Sequence, residues 1–174
     1  MFGLFRNKKK ELIDQFFKLI NAVMGTYAIM RSLSSHRFKA TKLDSSQMEI
    51  FEACYILGVI DCISHGVDSE EEVIGQEVIL DACEICTVGL NIFDEKDAGG
   101  IFGMAILLIA EGNAAHKLQY HGGTDAQKCL NAMLDGEDSS VAAKAMGLKY
   151  LDDKKLIASF KKLWNSSFEG LKDG

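Results

Sequence analysis

The sequence predicts an all-α protein, and three observations support that fold class. The 174 residues contain no proline, which is the residue that interrupts helices and is common in turns. Apolar residues recur at three- and four-residue steps in several long segments, which is the helical period. No useful stretch alternates apolar and polar residues as a half-buried strand would. We therefore expect a single-domain bundle of about six to seven helices.

The predicted domain covers residues 10–174, and residues 1–9 are predicted to be a flexible or docking N-terminal tail. A chain of this length is most simply one domain. The first predicted helix runs from about Lys10 to Leu33 on an apolar stripe of three- and four-residue spacing. A polar segment, 34–42, then connects it to the second helix.

The second predicted helix is expected to be buried on several sides. Asp44 or Ser45 can cap its N-terminus. Its apolar residues cover most of the circumference up to about Ser64, and Gly66 suits the left-handed position that often follows a helix.

The third predicted helix begins at a cap formed by Asp68 or Ser69 and extends to about Phe93. Three glutamates at 70–72 would occupy its first turn, where the helix dipole favours negative charge. This placement puts the whole CxxC pair of Cys83 and Cys86 well inside a helix.

The fourth predicted helix, at about 98–120, is expected to lie at the centre of the bundle. Its first half is almost entirely apolar and contains Gly99, Gly100 and Gly103. Small residues allow neighbouring helix axes to come close, which favours a central position. The sequence HGG at 121–123 is predicted to end this helix.

The C-terminal third predicts three further helices. Thr124 or Asp125 would cap a helix that ends at Leu134, and the acidic segment 135–140 would form a turn. Helices at about 140–151 and 153–168 follow, the last with an apolar side that includes Trp164.

Charge and cysteine content narrow the classes of protein. A net charge of -6 argues against a nucleic-acid-binding protein, because such proteins need a basic face. The five cysteines are odd in number and lie among apolar residues, which is typical of free buried thiols in a reducing compartment. No signal peptide is recognisable, and the longest uncharged run, 98–110, is too short to span a bilayer. We expect a cytoplasmic protein.

The CxxC pair is predicted to be a packing feature. Cys86 projects to the middle of the apolar arc of the third helix, and Cys83 to its margin. A redox dithiol prefers a helix N-terminus or a neighbouring cation, whereas Asp81 and Glu84 are the nearest charges here. A zinc site would need a second pair of ligands, which the sequence does not provide.

The histidines and nearby acids give a hypothesis for a polar site. Asp61 and His65 are four residues apart, so they share a helix face. Glu111, His116 and His121 are separated by steps of five, which is not a same-face spacing. The ends of the second and fourth helices would meet if those helices run in the same direction. The alternative is that these histidines are simply solvated near helix C-termini.

No recognised catalytic or cofactor-binding motif occurs in the chain. It lacks GxSxG, the phosphate-binding GxxxxGK[ST], GxGxxG and the Glu-x-x-His pairs of di-iron bundles. We therefore expect no cofactor and no metal site, and the catalytic residues, if any, stay unidentified.

The N-terminal sequence MFGLFRNKKK combines large apolar residues with four cations. Apolar insertion together with polybasic attraction is the usual basis of peripheral membrane binding. The alternative is an ordinary tail that frays or docks on the domain. A membrane surface is accordingly retained as one partner class for residues 1–10.

Three functional hypotheses follow. The leading one is a small acidic binding or adaptor protein that acts through a protein–protein interface, with self-association, as in a homodimer, among its forms. The first helix and the C-terminal helix around Trp164 are the expected interface faces. The second is an enzyme whose His/carboxylate site, with or without a metal, uses Asp61, His65, Glu111, His116 and His121. The third is the membrane-surface protein.

Overall fold

The computed structural model describes residues 2–68 and 73–168, with side chains described from residue 8 onward. Within these ranges the chain forms eight α-helices and one 3₁₀ turn and no strand, which confirms the predicted all-α bundle. In chain order the α-helices are α1 (Phe2–Leu33), α2 (Ser35–Ala40), α3 (Ser45–Val67), α4 (Gln76–Gly89), α5 (Glu95–Glu111), α6 (Asn113–Leu134), α7 (Ser139–Ala145) and α8 (Lys154–Phe168). The 3₁₀ turn, Lys149–Asp152, precedes α8.

Helix α1 begins earlier than the apolar pattern indicates. Its backbone is helical from Phe2, whereas the sequence predicted a start near Lys10. The side chains of residues 2–7 lie outside the described part of the chain. The docking of this segment therefore stays a prediction.

Helix α3 is the central element of the bundle. It begins with a capping box, in which the Asp44 carboxylate accepts from the Gln47 amide and the Gln47 side chain accepts from the Asp44 amide. Every residue from Ile50 to Ile60 is buried, and the helix packs most extensively against α6. The expectation that this helix is buried on several sides is confirmed. The prediction that the helix at 98–120 lies at the centre of the bundle is wrong. Helix α5, which forms the first part of that segment, buries only one of its sides.

The third predicted helix starts later than expected. Asp68 does not begin it; instead its backbone N–H caps the end of α3, and its carboxylate accepts from the Ile74 amide at 2.7 Å. Helix α4 starts only at Gln76 and ends at Gly89, short of Phe93. Ser69 and the glutamates at 70–72 lie outside the described residues. The Asp68 side chain thus stabilises the connection that leads into α4.

The predicted helix at 98–120 is two helices joined at Gly112. Gly112 adopts an extended conformation (φ -152°, ψ 142°), and the axes of α5 and α6 differ in direction by 112°. A Cβ at this position would lie 2.6 Å from the Leu163 side chain of α8. The chain therefore turns where α8 packs against it, which is a tertiary contact that the local sequence does not reveal.

The sequence HGG at 121–123 does not end a helix, because α6 runs through it to Leu134. A Cβ at Gly122 would lie 2.0 Å from the Tyr55 carbonyl oxygen, and one at Gly58 would lie 1.8 Å from that of Gln119. These glycines lie where the backbones of α3 and α6 touch. The predicted cap at Thr124 or Asp125 is wrong for the same reason.

The C-terminal part follows the predicted order with one added break. Asp138 caps α7 by accepting from the Ser140 amide, and Asp153 caps α8 by accepting from the amides of residues 155 and 156. The predicted 153–168 helix is confirmed. The predicted 140–151 helix instead ends at Ala145, and Leu148 takes a left-handed conformation (φ 52°) before the 3₁₀ turn.

A buried carboxylate, Glu52, joins α1 to α3. It is 1% exposed. The Tyr27 hydroxyl donates to Oε1 at 2.5 Å, and Arg31 donates to both oxygens from Nε at 2.5 Å and Nη2 at 3.1 Å. A bidentate guanidinium with an added hydroxyl is what makes burial of a carboxylate tolerable.

Two further tyrosines extend this buried region to the rest of the bundle. Tyr55 stacks between Tyr27 and Tyr150, with ring centroids 5.6 Å and 4.3 Å away, and its hydroxyl donates to Asp125 of α6 at 3.0 Å. The Tyr150 hydroxyl is fully buried next to the Tyr27 hydroxyl, but it forms no well-aligned hydrogen bond with a described residue. Burial and the nearby Glu52 charge raise the pKa of Tyr27 and Tyr150, so both stay protonated.

We predict that alanine at either contact glycine of α3 and α6 destabilises the fold. Gly58→Ala and Gly122→Ala should each lower the free energy of unfolding by about 3 kcal/mol, because a methyl group there must push two backbones apart. Gly25→Ala is the matched control: nothing described lies within 4 Å of its Cβ position, so it should raise stability by about 1 kcal/mol. Urea unfolding followed by circular dichroism measures all three. Equal effects would contradict the close contact.

A second prediction separates the two buried tyrosine hydroxyls. Tyr27→Phe should cost about 2 kcal/mol, because it removes a hydrogen bond to a buried carboxylate. Tyr150→Phe should change stability by less than about 0.5 kcal/mol, because the buried hydroxyl that it removes makes no well-aligned hydrogen bond with a described residue. The two unfolding curves, measured side by side, test the assignment. A larger loss for Tyr150→Phe would refute it.

Candidate functional site

A groove of about 630 Å³ lies between α3 and α6, beside the glycine contact of these helices. Gly58, Asp61 and Cys62 are spaced i, i+3 and i+4, so α3 presents them on one face. On α6, His116, Tyr120 and Gly123 are spaced i, i+4 and i+7, so they also share one helix face. The full lining comprises Gly58, Asp61, Cys62, His116, Gln119, Tyr120, Gly123, Thr124, Gln127 and Lys128.

The groove brings together polar groups of different chemistry. Asp61 supplies a carboxylate, Lys128 an ammonium group and His116 an imidazole, while Gln119, Gln127 and Thr124 add neutral donors and acceptors. Tyr120 contributes an exposed aromatic ring. Such a set can bind a small molecule that carries groups of both charges, with an apolar part against the ring.

The structure brings together two of the five predicted site residues. Asp61 and His116 both line the groove, although they come from different helices. His65, Glu111 and His121 are not part of its lining. The sequence predicted a site where the ends of two helices meet. The structure instead has a groove between α3 and the middle of α6.

His65 lies at the exposed end of α3, next to Asp61. Its Nδ1 lies 2.8 Å from the Asp61 carbonyl oxygen and 3.7 Å from Oδ1 of the same residue. The hydrogen bond to that carbonyl, and the Asp61 charge, raise the pKa of His65, because both favour the protonated ring. This pair matches the i, i+4 spacing that the sequence singled out.

Glu111 and His121 have other partners. The Glu111 carboxylate accepts from the Ser167 hydroxyl at 2.7 Å, which links the end of α5 to α8. The His121 ring lies edge-on to Tyr120, with centroids 6.5 Å apart. Neither residue lines the groove with Asp61.

Cys62 is the half-buried thiol of the groove, and its chemistry is unfavourable for nucleophilic attack. Its Sγ donates to the Gln127 side-chain oxygen at 3.8 Å. Burial and the neighbouring Asp61 raise the pKa of Cys62, so the reactive thiolate is disfavoured. Cys62 is therefore not an activated nucleophile in this groove.

A second, apolar gap of about 330 Å³ adjoins the groove. It shares Asp61 and Gln119 with the groove, so the two are neighbours across these side chains. Its apolar lining comes from α3, α4 and α5 and consists of Leu57, Ile79, Leu80, Ile106, Ile109 and Ala110.

The groove residues from Gly123 to Lys128 were missed because the sequence predicted that the helix stops at residue 121. Had the helix been continued through the two glycines, helical spacing would have placed Thr124, Gln127 and Lys128 near the face of His116. The helical spacing was visible in the sequence, but Gly122 and Gly123 were interpreted as the end of the helix.

In the ranges 2–68 and 73–168, no group of three or more His, Cys, Asp or Glu side chains is arranged to hold a metal ion. One described helix, Ser45–Val67, has the length and apolar composition of a membrane span, and so does the bent pair of α5 and α6 taken together. The first of these is mostly buried within the bundle, as a core helix of a water-soluble protein would also be.

The CxxC pair lies in the core-facing side of α4. Cys83 is completely buried and Cys86 is 7% exposed, and burial raises the pKa of both thiols. This burial is typical of packing residues. The prediction that Cys86 lies at the middle of the apolar arc and Cys83 at its margin is wrong, because Cys83 is the more enclosed of the two cysteines.

Comparisons of the chain with protein-family models, with curated proteins and with solved structures each find no match.

Proposed function

We propose that the protein is a small binding module that acts through an interface with another protein. The observation that supports this proposal is an apolar surface of α5 that the bundle leaves exposed. We call it the α5 face and define it by six exposed residues, namely Gly99, Gly100, Gly103, Ile106, Leu107 and Ala110.

The α5 face exposes two large apolar side chains on a segment that carries no charge of its own. Ile106 is 41% and Leu107 55% exposed, and no charged residue occurs from 98 to 110. A solvated helix face normally carries charged side chains at such positions. The adjoining apolar gap, with Ile79 and Leu80, continues the surface toward α4.

The glycines of the α5 face support the same proposal. Glycine inside a helix costs about 1 kcal/mol relative to alanine. At Gly58 and Gly122 the backbone of the neighbouring helix lies so close that only glycine fits. A Cβ at Gly100 or Gly103, in contrast, would meet nothing within 4 Å in the described part of the chain. A partner backbone that approaches closely would explain them.

The surfaces that the sequence favoured are less suitable. Trp164 of α8 is half-buried and packs on Phe168 at a ring distance of 4.7 Å. Helix α1 exposes Ile29 and Leu33, but Arg31 lies between them in the sequence. The α5 face is longer, and its own residues are uncharged from 98 to 110, with the Glu84 carboxylate of α4 next to Gly99 at one end.

The proposal predicts a position-specific protein contact in cells that produce the protein naturally. A photo-crosslinking benzophenone amino acid in place of Leu107 should yield a covalent protein adduct after irradiation, because this side chain would lie inside the interface. The same group in place of Leu134 is the matched control, since that leucine is 78% exposed on another helix. Adducts would be read by denaturing electrophoresis and mass spectrometry. No adduct at 107, or equal adducts at both positions, would contradict the proposal.

The groove supports a second candidate function, a ligand or substrate site that uses Asp61 and His116. The supporting observation is that these two predicted residues line one groove together with Lys128. We propose a small zwitterionic ligand for it, because Asp61 and Lys128 offer opposite charges. An enzymatic role would give His116 the task of proton transfer.

The second candidate predicts binding that depends on both groups. A set of amino-acid-like fragments, followed by two-dimensional NMR, should perturb the amides of Asp61, His116 and Lys128 together. Asp61→Asn and His116→Ala should each weaken that binding about tenfold, which is the effect of losing one charged hydrogen bond. His36→Ala, an exposed histidine on α2, should leave it unchanged. Perturbations scattered over other helices would exclude the site.

Two further expectations remain proposals. A reducing, cytoplasmic location is supported by the five cysteines, which are all free. Membrane binding through residues 1–10 is the other proposal. Of these ten side chains, the structure describes those of residues 8–10.

A further inference from the structure

We infer that the partner of the α5 face is a second copy of this chain, bound with the two α5 helices antiparallel about a twofold axis near Gly103. This inference rests on the proposed function and specifies its partner. It is supported by the distribution of side-chain size and of charge along one helix face.

The α5 face is complementary in size to itself. Its small members, Gly99 and Gly100, lie in the N-terminal half, and its large members, Ile106 and Leu107, lie in the C-terminal half. When two such helices run antiparallel with Gly103 at the axis, Leu107 of one copy falls opposite Gly99 of the other, where the Glu84 carboxylate of α4 lies 3.1 Å from the Cβ position. Ile106 likewise falls opposite Gly100. Ile106 thus meets a glycine that is open in the described part of the chain, and Leu107 meets a glycine bordered by Glu84, twice per dimer.

Gly103 itself lies at the point of closest approach. A Cβ there would meet nothing in the described part of the same chain, so the position is open to a second backbone. Within the protein, α3 and α6 already show how a glycine permits such an approach at Gly58. The missing side chain at Gly103 would likewise let the axes of two α5 helices come close.

The charges at the two ends of the face are also self-complementary. Lys96 lies seven residues before Gly103 and Glu111 eight residues after it, so each lies about 10–12 Å along the axis from the crossing. Lys96 is 79% exposed, and its ion pair with Asp97 is long, at 4.0 Å. In the antiparallel pair Lys96 of each copy lies beside Glu111 of the other, which gives two symmetric ion pairs.

The helix dipole favours the same orientation. Glu111 lies in the last turn of α5, where the dipole disfavours a negative charge. The antiparallel arrangement places it beside Lys96 at the N-terminal end of the other α5 helix, whose first turn also carries Glu95 and Asp97. A parallel pair would instead set Glu111 against Glu111.

The test is a charge exchange in the full-length purified protein, read by sedimentation equilibrium over the micromolar to millimolar range. The wild-type chain should form a dimer. Lys96→Glu and Glu111→Lys should each weaken dimerisation by about tenfold or more, because each replaces two attractions by two repulsions. The double variant, with both exchanges, should restore wild-type affinity. Lys155→Glu, an exposed lysine on α8, is the matched control and should have no effect.

A second variant tests the crossing point. Gly103→Gln should weaken dimerisation by about tenfold or more while leaving the monomer folded, because its side chain has open space in one chain but not between two. Circular dichroism verifies the fold of every variant.

Three outcomes would overturn the inference: a monomer at all concentrations, a dimer indifferent to these changes, or a double variant that stays weak. The crosslinking experiment tests the proposed function independently of self-association. A crosslinked adduct at position 107 whose mass is not that of two copies would retain the binding module and exclude self-pairing. Absence of any adduct in cells would remove the binding module itself.

Discussion

The close contact between α3 and α6 is the constraint on which the rest of the structure depends. Because Gly58 and Gly122 let the two backbones touch, α3 can be enclosed along its whole middle length. The same contact leaves a groove beside it, and it fixes which side chains of α6 face Asp61. Core and candidate site thus have one physical origin, and a change that separates these helices would disturb both.

Around this contact, the buried Glu52 joins elements that are distant in sequence. Its partners, Tyr27 and Arg31, come from α1, and stacked tyrosines carry the contact to Asp125 of α6 and to the 3₁₀ turn. A buried carboxylate is stabilising only when its hydrogen bonds are made, so this arrangement tolerates few alternatives. It joins α1, α3, α6 and the 3₁₀ turn in one buried cluster of hydrogen bonds and stacked rings.

The extent to which the sequence predicted this fold differed from element to element. Apolar periodicity predicted α3 and α8 well, because both helices bury a continuous pattern and begin at a recognisable cap. It failed at residues 112 and 121–123, because glycine is compatible with a helix end and also with a close helix crossing. The local sequence is the same in both cases. For the candidate site, Asp61 and His116 were predicted, whereas their partner Lys128 was hidden by the false helix end.

By itself, the sequence determined the all-α class, the absence of a recognised catalytic motif, and the uncharged stretch from 98 to 110. These properties depend on composition and on local periodicity, which no tertiary contact alters. Only the tertiary structure decided that α3, and not the glycine-rich α5, is the central helix. The physical reason is that a glycine shows its role through what approaches it: at Gly58 a backbone does so within the chain, while at Gly103 nothing described does.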